Sequence, residues 1–110
     1  MSVTKIIRGK PESFVFDYDI DITGYYIIDI IKQNKSDSDA EAIFTKTVTS
    51  HSDPTNGVSG YTMTASETDA IENGTYWHAT KLFDSSGDPV SETEPDQLQF
   101  VQNLVQALTV

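Results

Sequence analysis

The 110-residue sequence contains no cysteine, so a disulfide framework, a thiolate zinc site and a cysteine nucleophile are all excluded. Basic residues are also scarce: 7 Lys and Arg stand against 17 Asp and Glu, which gives a formal net charge of −10 at pH 7. Backbone phosphates and anionic lipids repel such a protein. This charge therefore argues against nucleic acid and membrane surfaces as partners.

Long hydrophobic runs are missing as well. Tyr25, Tyr26, Ile27 and Ile28 form the longest apolar stretch, and Asp29 ends it far short of the roughly 20 residues that a membrane-spanning helix needs. The first five residues lack the apolar segment of a secretory signal. We expect one domain over residues 1–104, followed by a C-terminal tail over residues 105–110.

Hydrophobic residues instead recur with a period of two, which is typical of half-buried strands. The pattern predicts an all-β fold: an antiparallel β-sandwich of about seven strands with one short helical turn. We expect the helical turn at residues 66–71, with Ser66 as its cap and Asp69 three residues on. The predicted strands cover residues 3–8, 13–17, 25–33, 42–48, 58–65, 75–83 and about 98–104.

The same alternation predicts which side chains form the core. The expected core residues are large and apolar or aromatic: Phe14, Phe16, Ile28, Ile30, Phe44, Val48, Tyr61, Met63, Tyr76 and Leu82.

The C-terminal segment fits two patterns. Its apolar residues match both a helical stripe and an alternating strand, and we favour a strand that ends near Leu104. The apolar residues beyond that strand would be poor surface for a lone monomer. We therefore expect Val105, Leu108 and Val110 to pack on a neighbouring subunit, with packing on the chain's own sandwich as the alternative.

The acidic run Asp17, Asp19 and Asp21 raises the question of a calcium site. An EF-hand loop that begins at Asp17 would need glycine and glutamate where Ile22 and Ile28 stand, so this interpretation fails. Alternation would place the three aspartates on one solvated strand face.

No other motif predicts a reaction. His51 and His78 lack a third ligand for a metal, and neither a nucleophile elbow nor a phosphate-binding glycine loop is present. We therefore predict no catalytic, cofactor-binding or metal-binding residue and no cofactor. The tyrosines and Trp77 leave a carbohydrate-binding module open as an alternative of another class.

Several turns resemble those of one known family in order and spacing over roughly residues 5–90. The motifs that carry the resemblance are Arg8-Gly9 before Phe14-Val15-Phe16, Asp21-Ile22-Thr23-Gly24-Tyr25, Asp53-Pro54-Thr55-Asn56-Gly57-Val58, Thr64-Ala65-Ser66-Glu67-Thr68, Asn73-Gly74-Thr75-Tyr76 and Leu82-Phe83-Asp84-Ser85-Ser86-Gly87. They resemble the Ig-like β-sandwich virion modules of tailed phages, such as the N-terminal domain of baseplate upper proteins. The sequence has Lys10 where the family's opening typically has aspartate.

The resemblance implies an Ig-like fold and a non-enzymatic structural protein of a tailed-phage virion, made in the host bacterial cytoplasm. The expected role is a tail- or baseplate-associated adaptor that docks neighbouring virion subunits and forms a homo-oligomer within the particle. A capsid decoration or cement protein on the head exterior is the alternative, and a host-surface glycan is a further partner to consider.

Overall fold

The computed structural model describes residues 3–92 and 95–102 of the chain. These residues form eight strands and one short α-helix, α1 (Ala65–Asp69), with single 3₁₀ turns at Asp39–Glu41 and Pro54–Asn56. The strands are β1 (Val3–Ile7), β2 (Glu12–Asp17), β3 (Tyr26–Lys32), β4 (Phe44–Val48), β5 (Val58–Met63), β6 (Gly74–Phe83), β7 (Pro89–Glu92) and β8 (Asp96–Val101). The predicted all-β sandwich is confirmed.

Six of the strands form one sheet: five follow the order β1-β8-β6-β3-β4, and β7 pairs with β6. The long strand β6 is its centre, with β3 along one edge and β8 and β7 sharing the other. All the pairs in this sheet are antiparallel except β1 with β8, which run parallel. The sequence pattern did not predict β7, because this strand has only four residues and begins with Pro89.

The second sheet is small and consists of β2 paired antiparallel with β5. It covers one side of the six-stranded sheet, which we call the inner face, and Phe14 and Tyr61 pack from it onto the core. We call the opposite side of the six-stranded sheet the outer face. The fully buried apolar side chains of the core are Ile6, Ile22, Ile27, Ile31, Met63, Leu82, Leu98 and Phe100.

The core prediction holds for most residues but is wrong for two. Val48, Met63, Tyr76 and Leu82 are buried, and the predicted Phe and Tyr residues of β2, β4 and β5 pack against the core while half-buried. Ile28 and Ile30, in contrast, are only half-buried and lie on the outer face. The inner positions of β3 belong to Ile27, Asp29 and Ile31, because this strand is apolar at both parities and its register places Asp29 inside.

The predicted helical turn exists but begins earlier than expected. Thr64, not Ser66, is the N-cap: its hydroxyl accepts a hydrogen bond from the Glu67 amide, and the Glu67 carboxylate accepts one from the Thr64 amide. This reciprocal pair is a capping box. Asp69 ends the helix and does not cap it.

The C-terminal strand predicted near residues 98–104 is present as β8 over Asp96–Val101. Val105, Leu108 and Val110, the predicted interface residues, lie outside the described residues, as does the domain boundary at residue 104.

Candidate functional site

The inner face holds a charged pair in the middle of its apolar core. Asp29 of β3 is completely buried, and its Oδ1 lies 2.5 Å from Nε2 of His78 on β6. At this separation the Asp29 carboxylate and a protonated His78 ring form an ion pair. On its other side, Nδ1 of His78 lies 3.0 Å from Oδ1 of Asp96 on β8, whose side chain is half-exposed. One imidazole thus connects three adjacent strands.

The second sheet covers this pair. The Tyr61 hydroxyl donates a 2.5 Å hydrogen bond to Oδ2 of Asp29, and the Phe14 ring lies 5.3 Å from the His78 ring. We call Asp29, His78, Asp96 and Tyr61 the buried polar cluster. A charge that is taken out of water needs close polar partners to offset its desolvation. His78 and Tyr61 are such partners for the Asp29 carboxylate.

The cluster controls the protonation of its own members. Burial of the ring lowers the pKa of His78, but the contacts with Asp29 and Asp96 outweigh burial and raise this pKa above its ordinary value of 6.5. Burial, and then the negative charge of Asp29, raise the pKa of Tyr61. His78 is thereby favoured as a cation and Tyr61 as a neutral donor, which suits a structural ion pair.

A second histidine forms a similar arrangement. Nε2 of His51 lies 2.8 Å from the Tyr25 carbonyl oxygen and donates to it, and Nδ1 of His51 lies 2.7 Å from the Ser59 hydroxyl, from which it accepts when the ring is neutral. A serine, a histidine and an orienting acceptor would suit a nucleophile, but Ser59 is only 1% exposed. No substrate can reach that hydroxyl, and the arrangement ties β5 to the start of β3.

The three aspartates that raised the question of a calcium site are exposed, but they do not share one strand face. Strand β2 ends at Asp17, and Asp19 has a left-handed φ of 58°. Oδ1 of Asp21 accepts hydrogen bonds from the Thr23 amide and hydroxyl, which forms a turn. The alternation argument failed because the strand stops before the second aspartate. The described residues hold no group of three or more His, Asp or Glu side chains placed to bind a metal.

The outer face carries a concave surface. We call it the outer-face groove: Ile30 and Ala79 lie at its centre, Asp39 and Glu92 line it, and Trp77 and Phe83 line its two parts, with volumes of about 180 and 100 Å³. Lys32, Lys35 and Lys81 also line it.

Two of these lysines interact with aromatic rings. The Lys35 ammonium lies 5.1 Å from the centre of the Trp77 ring, and the Lys81 ammonium lies 5.8 Å from that of Phe83. Both are cation–π distances. Phe83 in turn stacks on Tyr26, with ring centres 5.0 Å apart. The outer face is therefore an aromatic surface with a lysine rim.

Sequence reasoning assigned no role to Asp29, and it considered Trp77 only as a residue for stacking on sugar rings. Asp29 gave a local signal, a lone carboxylate inside an apolar strand, but its partner His78 is 49 residues away in the chain. The outer-face groove depends on which strands become neighbours, and no spacing within one segment predicts that.

Comparison with known proteins does not extend this description: no protein family matches the sequence, and no curated protein or solved structure is significantly similar to the chain. Among the described residues, no helix is long and apolar enough to cross a membrane.

Proposed function

We propose that this chain is a non-enzymatic structural protein of a tailed-phage virion, a tail- or baseplate-associated adaptor that docks neighbouring virion subunits. The order of its turns supports the proposal, since the segments that resemble the phage modules run from β1 to the loop before β7. The β-sandwich fold is the one that this resemblance implies. On this proposal the protein is made in the bacterial cytoplasm and then built into the particle.

Within residues 3–92 and 95–102 no second sheet covers the outer face, and this observation carries a docking role. The two strands of the second sheet cover only the inner face, while Trp77, Phe83 and Tyr26 remain half-exposed on the other side. Aromatic residues are enriched where protein surfaces bind each other. Other virion proteins are the proposed partners, and the net charge of −10 disfavours nucleic acid and anionic membranes.

The polar clusters favour binding over catalysis. Asp29 and Ser59, the groups with the most reactive surroundings, are at most 1% exposed. Their polar partners, Tyr61 for Asp29 and His51 for Ser59, are side chains of the sandwich itself. A catalytic group must reach its substrate within hydrogen-bond distance, and neither of these two can do so in this fold.

Labelling of purified particles tests the proposal. Gold-labelled antibodies raised against the chain should bind the tail or baseplate of particles from the source phage. Gold on the head would instead support the alternative, a capsid decoration protein, while intact particles that lack the chain would contradict a virion role altogether.

A glycan-binding role is less well supported by the outer face. A sugar ring that stacks on Trp77 would compete with the Lys35 ammonium for the ring. We therefore expect no glycan on an array to bind the labelled protein through Trp77. A glycan that binds the wild type but not a Trp77→Ala variant would favour the carbohydrate-binding alternative.

The proposed tail interface is a separate matter, since residues 105–110 lie outside the described residues. Deletion of these residues should leave the melting temperature unchanged but prevent incorporation into particles. If the truncated chain unfolds while the full chain stays monomeric, the tail belongs to the core.

A further inference from the structure

One end of the sandwich is an acidic tip, which we define as residues 17–21 together with the loop Asp53–Gly57. The two segments are joined by hydrogen bonds from the Tyr18 amide to the Gly57 carbonyl (2.9 Å) and from the Ile22 amide to the Pro54 carbonyl (2.8 Å). A Cβ at Gly57 would lie 2.4 Å from the Ile20 carbonyl oxygen, so the loops are in direct contact. Four exposed carboxylates belong to the tip: Asp17, Asp19, Asp21 and Asp53.

The acidic tip also presents an apolar side chain. Ile20 is 44% exposed and stands between Asp19 and Asp21. Hydrogen bonds from Thr23 hold the pKa of Asp21 below its ordinary value, so this carboxylate is charged at neutral pH. The backbone around Ile20 is fixed by these turns, and an element that is already ordered loses little entropy when it docks.

The outer-face groove has the complementary character. Lys32 is paired with Asp39 at 2.9 Å, which leaves Lys35 and Lys81 against Glu92 in the groove, whereas the whole chain has a net charge of −10. Residues 11–31 and 47–80 contain no Lys or Arg at all. The groove therefore concentrates three of the seven basic residues around an apolar floor.

We propose that the acidic tip of one copy of this chain docks into the outer-face groove of a second copy. Ile20 enters the apolar part over Ile30 and Ala79, and the flanking aspartates approach the lysine rim. Opposite charges and an apolar centre on each side make the two surfaces complementary.

The tip and the centre of the groove lie apart on one molecule. The groove's near end at Phe83 stacks on Tyr26, the first residue of β3, but its apolar centre at Ile30 lies about 13 Å further along that strand. Each copy offers one tip and one groove, so the contact is made either twice in a reciprocal two-fold dimer or once with each neighbour in a ring or filament, and the mass of the assembly distinguishes the two.

The contact is expected to be weak in free solution, since one loop end and one groove bury less than the roughly 1,600 Å² of a standard interface. A particle that holds many copies raises their local concentration and compensates for this weakness. The inference deepens the proposed docking role and rests on it, but it concerns the contact between copies, which is measurable without particles.

Sedimentation velocity of the full chain tests it, over about 10 μM to 1 mM protein. In about 20 mM salt the average mass should rise above 12.2 kDa with concentration, and in about 500 mM salt it should fall back, because salt screens exposed charges. Ile20→Lys removes the apolar side chain of the tip, and Ala79→Glu places a carboxylate at the centre of the groove. Each variant alone should therefore remain monomeric. Lys35→Glu/Lys81→Glu replaces the second variant if Ala79→Glu does not fold.

An equimolar mixture of the tip variant and the groove variant is the decisive sample. One intact tip and one intact groove remain, so the mixture should form heterodimers of one copy each and nothing larger. Val15→Lys is the matched control, since Val15 is 77% exposed on the second sheet and should leave association unchanged.

A wild-type chain that stays monomeric at the highest concentration in low salt overturns the inference. So does a wild type that associates while the mixture does not. A chain found in particles but monomeric in solution contradicts this inference alone, and a self-associating chain that is absent from particles contradicts the virion role alone.

Discussion

The two faces of the six-stranded sheet use polar groups in opposite ways. On the inner face, Asp29 is completely buried, and His78 and Tyr61 make contacts that offset its desolvation. On the outer face, Lys35 and Lys81 keep their ammonium groups at the surface and lie over aromatic rings. Loss of an inner partner leaves a charge stranded away from water, whereas loss of an outer partner exposes a ring that water already reaches.

The largest effect is expected from His78→Leu. This change leaves the Asp29 carboxylate buried without its cation, and we expect a loss of about 3–5 kcal/mol in the free energy of unfolding. Urea unfolding of the double variant Asp29→Leu/His78→Leu should recover much of that loss, because an apolar pair replaces the ion pair. If the free energy of unfolding of His78→Leu is within about 1 kcal/mol of the wild-type value, the buried Asp29 carboxylate does not depend on His78 for its stability.

Two neighbouring isoleucines of β3 give a matched comparison of the faces. Ile31 is completely buried on the inner face, and Ile30 is half-buried beside the outer-face groove. Ile31→Ala should cost about 2–5 kcal/mol, and Ile30→Ala about 1 kcal/mol, in chemical denaturation. Equal losses would mean that the outer face is as well packed as the core.

These two residues also mark how far sequence reasoning reached. Turn chemistry at Gly57, Asn73-Gly74 and Gly87 located most strands, because glycine at those positions takes a positive φ that ends or redirects a strand. The face of β3 was assigned wrongly, since isoleucines occupy both parities and polarity alone would direct Asp29 outward. Only its pairing with β6 brings His78 within reach, and that pairing is a property of the whole fold.

Above neutral pH, the pH dependence of stability should report on the inner face. The folded-state pKa of His78 is raised, so its contribution is complete below the unfolded value of about 6.5 and is lost as pH rises through the folded value. Stability should therefore decline from near neutral pH upward, measured by thermal unfolding at a series of pH values. Other charged or polar groups that face this site are Asp96 from β8, Lys46 opposite Asp29 on β4, Tyr61 from β5, Thr80 opposite Asp29 on β6, and Tyr18, which follows β2.

A His78→Gln variant is the control for that decline. It should show a flatter dependence between about pH 6.5 and pH 9, because the group that titrates has gone. If the stability of His78→Gln declines with pH as steeply as that of the wild type, another residue causes the decline, and protonation of His78 does not contribute to stability.

The smallest effect is expected on the outer face, at Lys35. Removal of its ammonium in Lys35→Met keeps an apolar stem over Trp77 and should change the free energy of unfolding by only about 0.5–1 kcal/mol, the value of an exposed cation–π contact. Trp77 is the single tryptophan of the chain, so its fluorescence reports on this contact directly. The emission should shift with Lys35→Met but not with Lys5→Met, an exposed lysine on the edge strand β1. A loss comparable to that of His78→Leu would show that the outer face, too, depends on a charged partner, and the contrast between the two faces would fail.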